Sequence, residues 1–229
     1  MKTITIDCVS DLHGSYPTLP GGDLLIVAGD CTARDKVPEW VAFFEWIGAQ
    51  KYTKKILIGG NHDRFLTQCP PGSEMNDDGT EMYDYLLDSG TEFEGIKIWG
   101  SPWTPTFGEW HFMKERGKEI TQVWNLIPDD TQILITHGPP MDILDTVDYV
   151  NKGCLDLLMC VNRLPRLKLH VFGHIHEGYG ILTKDKKIFV NASHMDRDYR
   201  PVNKPVRIIL RQAEESSTDL RLESCCRLE

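Results

Sequence analysis

Three features of the 229-residue chain predict an α/β fold. Eight short apolar runs rich in β-branched residues recur along it. Helical patterns lie between several of them, and strand–helix alternation is the mark of α/β architecture. Chemistry-bearing residues follow directly on five of the runs, as they do where loops at the carboxyl ends of an open sheet converge on one crevice.

The runs are Thr3–Val9, Leu24–Ala28, Lys55–Ile58, Ile96–Trp99, Gln132–Thr136, Leu169–Phe172, Ile188–Val190 and Val206–Leu210. Their apolar character is continuous rather than alternating, which suits strands covered on both faces. Pro38 to Gly48 carries apolar residues at 40, 41, 43, 44 and 47, with Pro38 placed for a first helical turn, so a helix is expected there. Thr80 to Leu87 and Gly153 to Val161 are shorter helical candidates. Neither a repeat nor an internal boundary is visible. One domain over residues 1–211 is expected, with a polar, loose tail over 212–229. Residues 100–126 form a Trp- and Pro-rich insert.

Composition narrows the class. Hydrophobic residues at 41% and charged residues at 26% describe a globular chain. No apolar run approaches the ~18–20 residues of a spanning helix. Asp7 interrupts the first run and no small-residue cleavage site follows it, so neither a membrane association nor a secretory signal is expected. The seven cysteines form no C-x-x-C pair and read as reduced thiols in a cytoplasmic protein, with Cys8 and Cys31 as small core residues. A net charge of -9 repels a phosphate backbone, which argues against long nucleic acid. Small phosphate esters stay compatible, because bound cations would neutralise the site's own carboxylates.

Five motifs carry the chemistry: Asp11-Leu12-His13, Gly29-Asp30, Gly60-Asn61-His62-Asp63, Thr136-His137-Gly138 and Gly173-His174-Ile175-His176. Singly, each has an ordinary reading. A D-x-H is commonly a turn or cap, Gly-Asp a strand-to-loop turn, and Asn and Asp favour turns. His137 alone is compatible with a hydrogen-bonding loop residue. His174 and His176 on one extended segment share a face, which fits metal binding but equally two surface histidines. The conjunction is what discriminates. Five of eight histidines fall in the set, and each motif follows an apolar run. Carboxylate and amide oxygen mixed with imidazole nitrogen suits Mn²⁺, Fe or Zn²⁺ better than Ca²⁺.

The set resembles the calcineurin-like metallophosphoesterase superfamily, whose pattern is D-x-H, G-D, G-N-H-[DE], H and G-H-x-H in that order. Further segments resemble the metallophosphoesterase-domain (MPPED) group: Trp99-Gly100-Ser101-Pro102-Trp103, Trp124–Pro128, Thr136–Pro140, Gly173–Gly180, Asn191-Ala192-Ser193 and Pro201-Val202-Asn203. The resemblance covers roughly residues 3 to 210. It implies a four-layer sandwich of two facing mixed sheets flanked by helices. It also implies two divalent metal ions, with Mn²⁺ first. Asp11, His13, Asp30 and His176 would hold one, and Asp30, Asn61, His137 and His174 the other. Metals ~3.5–4 Å apart can share a hydroxide and clamp both oxygens of an in-line displacement. By the same resemblance His62 is not a ligand. It would assist the leaving group as a catalytic residue and, with Asn61, contact substrate. Asp63 would orient the His62 ring. Some relatives carry Gly at the position of His174; its presence here favours an active two-metal enzyme.

The implied activity is hydrolysis of small phosphodiesters, cyclic nucleotides (2′,3′ or 3′,5′) first. A phosphomonoesterase or protein phosphatase is the second reading, and a nucleotide-binding scaffold with residual activity the third. Outside the motifs, Arg34 fits either a surface ion pair or a phosphate contact. The Trp99–Trp110 stretch fits core anchors or a wall for stacking a nucleobase. His170 reads as structural, and His194 lies where it could approach the cleft; His111 is given no role.

Overall fold

Alternate residues of a strand point to opposite faces, and here each face of the apolar runs meets a partner layer. The computed structural model describes residues 2–75, 81–213 and 216–228. The first sheet contains β1 (Lys2–Val9), β2 (Gly22–Ala28), β3 (Tyr52–Ile58), β4 (Gly72–Met75), β5 (Glu81–Tyr85), β16 (Val206–Ala213) and β17 (Ser216–Arg227), in the order β17-β16-β1-β2-β3-β5-β4. The second contains β6 (Ser89–Phe93), β7 (Ile96–Ser101), β10 (Ile133–Thr136), β13 (Leu169–Phe172), β14 (Gly180–Lys184) and β15 (Lys187–Asn191), in the order β14-β15-β13-β10-β7-β6. The central pairs of both sheets are parallel and the outer pairs antiparallel. Two short ribbons complete the strands: β8 (Thr104–Pro105) with β9 (Met113–Lys114), and β11 (Thr146–Val147) with β12 (Val150–Asn151).

Ile4, Ile6, Cys8, Leu24, Ile26, Ile56 and Ile58 of the first sheet pack against Ile98, Ile133, Ile135, Leu169, Val171 and Val190 of the second. The residues in between face outward. Val9, Leu25, Val27 and Leu57 are covered by Trp40, Phe43 and Ile47 of α1 (Val37–Gly48). That 3- and 4-residue spacing is one helical stripe. Glu39 supports the first turn by accepting the backbone N–H groups of Arg34 and Lys36, at 3.1 and 3.0 Å. On the second sheet, Leu134, Phe172 and Phe189 meet Ile120, Val123 and Trp124 of α2 (Lys118–Trp124) and Leu157, Cys160 and Val161 of α3 (Leu155–Arg163). Helix, sheet, sheet and helix make the four layers. Among the described residues no helix is long and apolar enough to cross a membrane.

Two expectations are corrected. Of the segment expected to be helical from Thr80 to Leu87, Thr80 lies outside the described residues, and Glu81–Tyr85 is strand β5, paired with β3. Tyr83 and Tyr85, two apart, face the α1 layer together, so the period is 2 rather than 3.6. The tail is not loose over Ser216–Arg227: β17 pairs antiparallel with β16, and Leu220 joins the core between the sheets.

All five motifs follow parallel strands, at the same rim of the two sheets. A strap holds the sheets together there. Ser10, just after β1, donates its N–H to Ala192 O at 2.9 Å and accepts the N–H of His194 at 2.8 Å.

Candidate metal centre

Asp11, His13, Asp30 and His174 all adopt positive φ, at 50°, 42°, 53° and 68°. Non-glycine residues rarely do, and such strain persists where the surroundings dictate it. The turns bend each side chain back over the end of its own strand. The glycines of two motifs clear space for this. A Cβ on Gly60 would lie 2.2 Å from Asp30 Oδ1, and one on Gly173 would lie 2.0 Å from Asp11 Oδ2.

The candidate ligands converge. Asp11 Oδ1 lies 3.3 Å from His176 Nε2. Asp30 Oδ2 lies 3.7 Å from His13 Nε2 and 3.4 Å from His137 Nε2, and His137 Nε2 is 3.1 Å from Asn61 Oδ1. His174 stands at the edge of this group, its ring 5.0 Å from that of His137. Donor atoms of Asp11, His13 and His176 lie within 4.8 Å of one another, as do those of Asp11, Asp30 and His137. Asp11 is common to both trios, and Asp30 Oδ2 faces His13 on one side and His137 on the other. The structure brings together every residue of the two ligand sets, His174 less tightly than the rest.

The remaining hydrogen-bonding capacity is used in orienting the ligands. His137 Nδ1 donates to Ala28 O at 2.9 Å and His176 Nδ1 to Asp196 O at 3.0 Å, which turns each Nε2 toward the carboxylates. Asp11 accepts the His174 N–H on both oxygens, at 3.0 and 2.9 Å, and the Ser193 hydroxyl on Oδ2 at 2.6 Å. By contrast, both nitrogens of His13 are buried without a hydrogen-bond partner. A buried imidazole left this way is costly. A cation between His13 and the carboxylates would resolve it, so the donor set fits divalent metal.

The electrostatics agree. Burial alone would raise Asp11, but the hydrogen bond and charge of His176 outweigh it and hold the carboxyl well below the usual range. Asp30 is lowered likewise, against burial, by His137. Burial pushes His174 down to about 3, with the charge of His137 adding to it, and also lowers His13. Both carboxylates are thus ionised and these two imidazoles neutral, the state in which they ligate. His137 is raised to about 9, because Asp30 more than offsets burial, so metal binding there displaces a proton.

His62 has Nδ1 on Ala33 O at 2.8 Å, and its backbone N–H on Asp30 Oδ1 at 2.8 Å. With Nδ1 engaged, Nε2 is the nitrogen left for chemistry. Asp63 does not orient this ring. Its carboxylate accepts the backbone N–H groups of Gly60, Cys31 and Thr32, at 2.9, 3.1 and 3.2 Å, and the Thr32 hydroxyl at 3.3 Å. It ties the Asp30 loop to the Asn61-His62 loop from below and is fully buried. Burial, with the nearby Asp30 charge, raises it to about 7.

A cavity of about 400 Å³ opens over the centre, with Asp30, Asn61, His62, His174 and His176 in its wall. Three partly exposed rings form its rim. Trp110 lies 4.5 Å from His62, Phe107 lies 5.0 Å from His174, and Tyr199 lies 5.1 and 4.9 Å from His13 and His176. The Trp99–Trp110 stretch thus divides: Trp99 and Trp103 pack on the core, while Trp110 meets the cavity. Arg34 is exposed and outside the cavity wall. His194 is buried with Nδ1 on Asn203 O at 2.8 Å, away from the wall. His170 is buried in β13, as a structural residue is, and His111 gives its backbone N–H to Asn61 O at 3.3 Å. Ser193 and Tyr199 had no assigned role in the sequence. The one aromatic in the charged turn Asp196–Arg200 was the available signal for Tyr199.

Comparison with known proteins gives the family and the fold. The family model for calcineurin-like phosphoesterases matches residues 4–178. The human and mouse proteins called metallophosphoesterase domain-containing protein 1 are each 40% identical, over 89% of this chain and 70% of theirs. Among solved structures, the phosphopantetheinyl hydrolase PptH of Mycobacterium tuberculosis superposes with a TM-score of 0.52 at 15% identity, covering 95% of each chain. A putative 5′-nucleotidase from Staphylococcus aureus gives 0.57 at 14% identity, over 98% of this chain and 53% of that one. At such identities these two speak for the fold alone. The chain belongs to the calcineurin-like phosphoesterase family, the metal-dependent phosphoesterases, alongside the metallophosphoesterase domain-containing proteins.

Proposed function

We propose that the protein is a two-metal phosphodiesterase acting on small phosphodiesters, with cyclic nucleotides as the first candidates. The observation that carries this is the make-up of the cavity wall beside His62. It presents the rings of Trp110, Phe107 and Tyr199. Among the described residues its one arginine, Arg116, turns Nη1 and Nη2 to the carbonyls of Gly153 and Lys152, at 2.9 and 3.0 Å. A guanidinium fork is a common partner of a phosphate dianion, and here the arginine is engaged and Lys152 is the wall's other cation. A diester carries one charge where a monoester carries two, which such a wall suits better.

Asp11, His13, Asp30 and His176 would hold one divalent ion, and Asp30, Asn61, His137 and His174 the other. Mn²⁺ is our first assignment, and Fe and Zn²⁺ suit the same donors. When bound, such ions would supply positive charge to the phosphoryl oxygens and lower the pKa of the attacking water. His62 stands at the cavity with Nδ1 fixed by Ala33. Water loses one proton to solvent as its oxygen bonds to phosphorus, the P–O bond to the leaving group breaks with its electron pair on the departing oxygen, and Nε2–H of His62 gives that oxygen its proton. Asn61 and His62 flank the phosphoryl group.

The test is a substrate panel with Mn²⁺-loaded protein: 2′,3′- and 3′,5′-cyclic nucleotides, a nitrophenyl diester and a nitrophenyl monoester. Diester preference is expected. Monoester preference would replace this reading with a phosphatase, and no turnover of any would leave a binding module.

A further inference from the structure

Trp110 and Tyr199 are linked through two imidazoles by successive ring contacts. Trp110 lies 4.5 Å from His62, His62 lies 4.6 Å from His13, and His13 lies 5.1 Å from Tyr199. Trp110 and Tyr199 thus adjoin different imidazoles of the site. A non-cyclic phosphodiester centred over the metal ligands has two organic groups to place, one departing and one retained, whereas in a cyclic nucleotide one nucleoside carries both ester oxygens. Trp110 adjoins His62, the residue that protonates the departing oxygen. Tyr199 adjoins His13 and His176.

Tyr199 is held in place for such a contact. It is a non-glycine residue at φ 57°, 58% exposed at the cavity rim, and strain of this kind is kept where its surroundings over-determine it. Its N–H donates to Asp196 O at 2.9 Å, the same carbonyl that accepts His176 Nδ1 at 3.0 Å. The Asp196 carboxylate in turn accepts the N–H groups of Asp198 and Arg200, each at 2.9 Å, and Arg200 Nε at 2.8 Å. Arg197 fastens the same turn to Asp148, at 3.0 and 3.3 Å. A single carbonyl thus sets the position of both a metal-site imidazole and the ring above it.

We propose that the cavity has two separate subsites, with Trp110 receiving the leaving group and Tyr199 receiving the ester group retained on phosphorus, and that Tyr199 selects for a planar retained group. The proposal rests on the phosphodiesterase reading above.

Two diesters sharing a 4-nitrophenol leaving group test it, one retaining a phenyl group and the other a methyl group. The read-out is the ratio of kcat/KM, phenyl over methyl, with Mn²⁺-loaded protein. Tyr199→Ala should lower that ratio about 5- to 150-fold, the range of one lost stacking contact. Tyr199→Phe should keep it, since the ring remains, and so should Trp110→Ala. Calorimetric affinities for phenyl phosphate and methyl phosphate, the two retained products, should show the same pattern without turnover. An unchanged ratio in Tyr199→Ala would overturn the proposal, as would an equal loss in Tyr199→Phe or a collapse in Trp110→Ala. If the wild type hydrolyses neither diester, the phosphodiesterase reading itself fails, and the product affinities still decide whether Tyr199 binds a planar group.

Discussion

Gly173→Ala is the sharpest single perturbation of the centre. The added Cβ would stand 2.0 Å from Asp11 Oδ2 and 2.1 Å from Ser10 Oγ, whereas ordinary contact begins near 3.4 Å. The carboxylate has to retreat by about 1.4 Å to relieve this. It is poorly placed to do so, because Ser193 holds Oδ2 at 2.6 Å and the His174 N–H holds both oxygens. Ser10 is also fixed, with its hydroxyl on Ala28 O at 3.0 Å. Overpacking of this kind costs roughly 1–3 kcal/mol. At about 2–4 °C per kcal/mol for a chain of this size, that is a fall in Tm of about 2–12 °C. Displacing a ligand's support weakens metal binding about 10- to 100-fold. Thermal unfolding of metal-free protein and Mn²⁺ titration read the two effects separately. A variant with wild-type Tm and wild-type Mn²⁺ affinity would refute the placement of Asp11 against Gly173.

Three more outcomes are expected. His62→Ala keeps the backbone N–H that holds Asp30, so metal content should stay near that of the wild type while turnover falls ~10²- to 10⁴-fold; normal turnover would end the acid role. Asp63→Ala strips the partner from three buried N–H groups, which costs at least about 3 kcal/mol; a urea midpoint equal to the wild type's, with activity lost, would return Asp63 to a catalytic role. Burial holds His170 at about 3, so below its unfolded value near 6.5 the unfolded chain takes a proton that the native state refuses. Stability then falls as pH falls, by about 1.4 kcal/mol per unit between 6.5 and 3. The His170→Gln variant should lose about 2 kcal/mol less than wild type between pH 6.5 and 5 in urea unfolding, and parallel losses would contradict the assignment.

The eight central strands were legible because burial on both faces leaves a continuous apolar run that a loop does not tolerate. Edge strands were not, since β4, β6 and β17 each take their form from pairing with a single neighbour. The convergence of the candidate ligands was legible because metal chemistry restricts residue types at each strand end. Asp63 was misjudged because it is adjacent to His62 in the chain, and adjacent side chains point apart; the ring's partner is Ala33, 29 positions away. Ser193 reaches Asp11 across 182 positions, a contact that no local pattern encodes.

The centre straddles a seam. Asp11, Asp30 and Asn61 ride on the first sheet, and His137, His174 and His176 ride on the second. Ligand separation is therefore gauged by how far apart the sheets stand, and that spacing is set by side chains such as Ile26, Ile58, Ile135 and Val171. These residues line no part of the cavity wall, yet trimming or enlarging one retunes the gap between the candidate ligands of the two sheets. Core volume thus becomes a dial on metal affinity, and variation far beneath the cavity acts on catalysis without altering a single catalytic group.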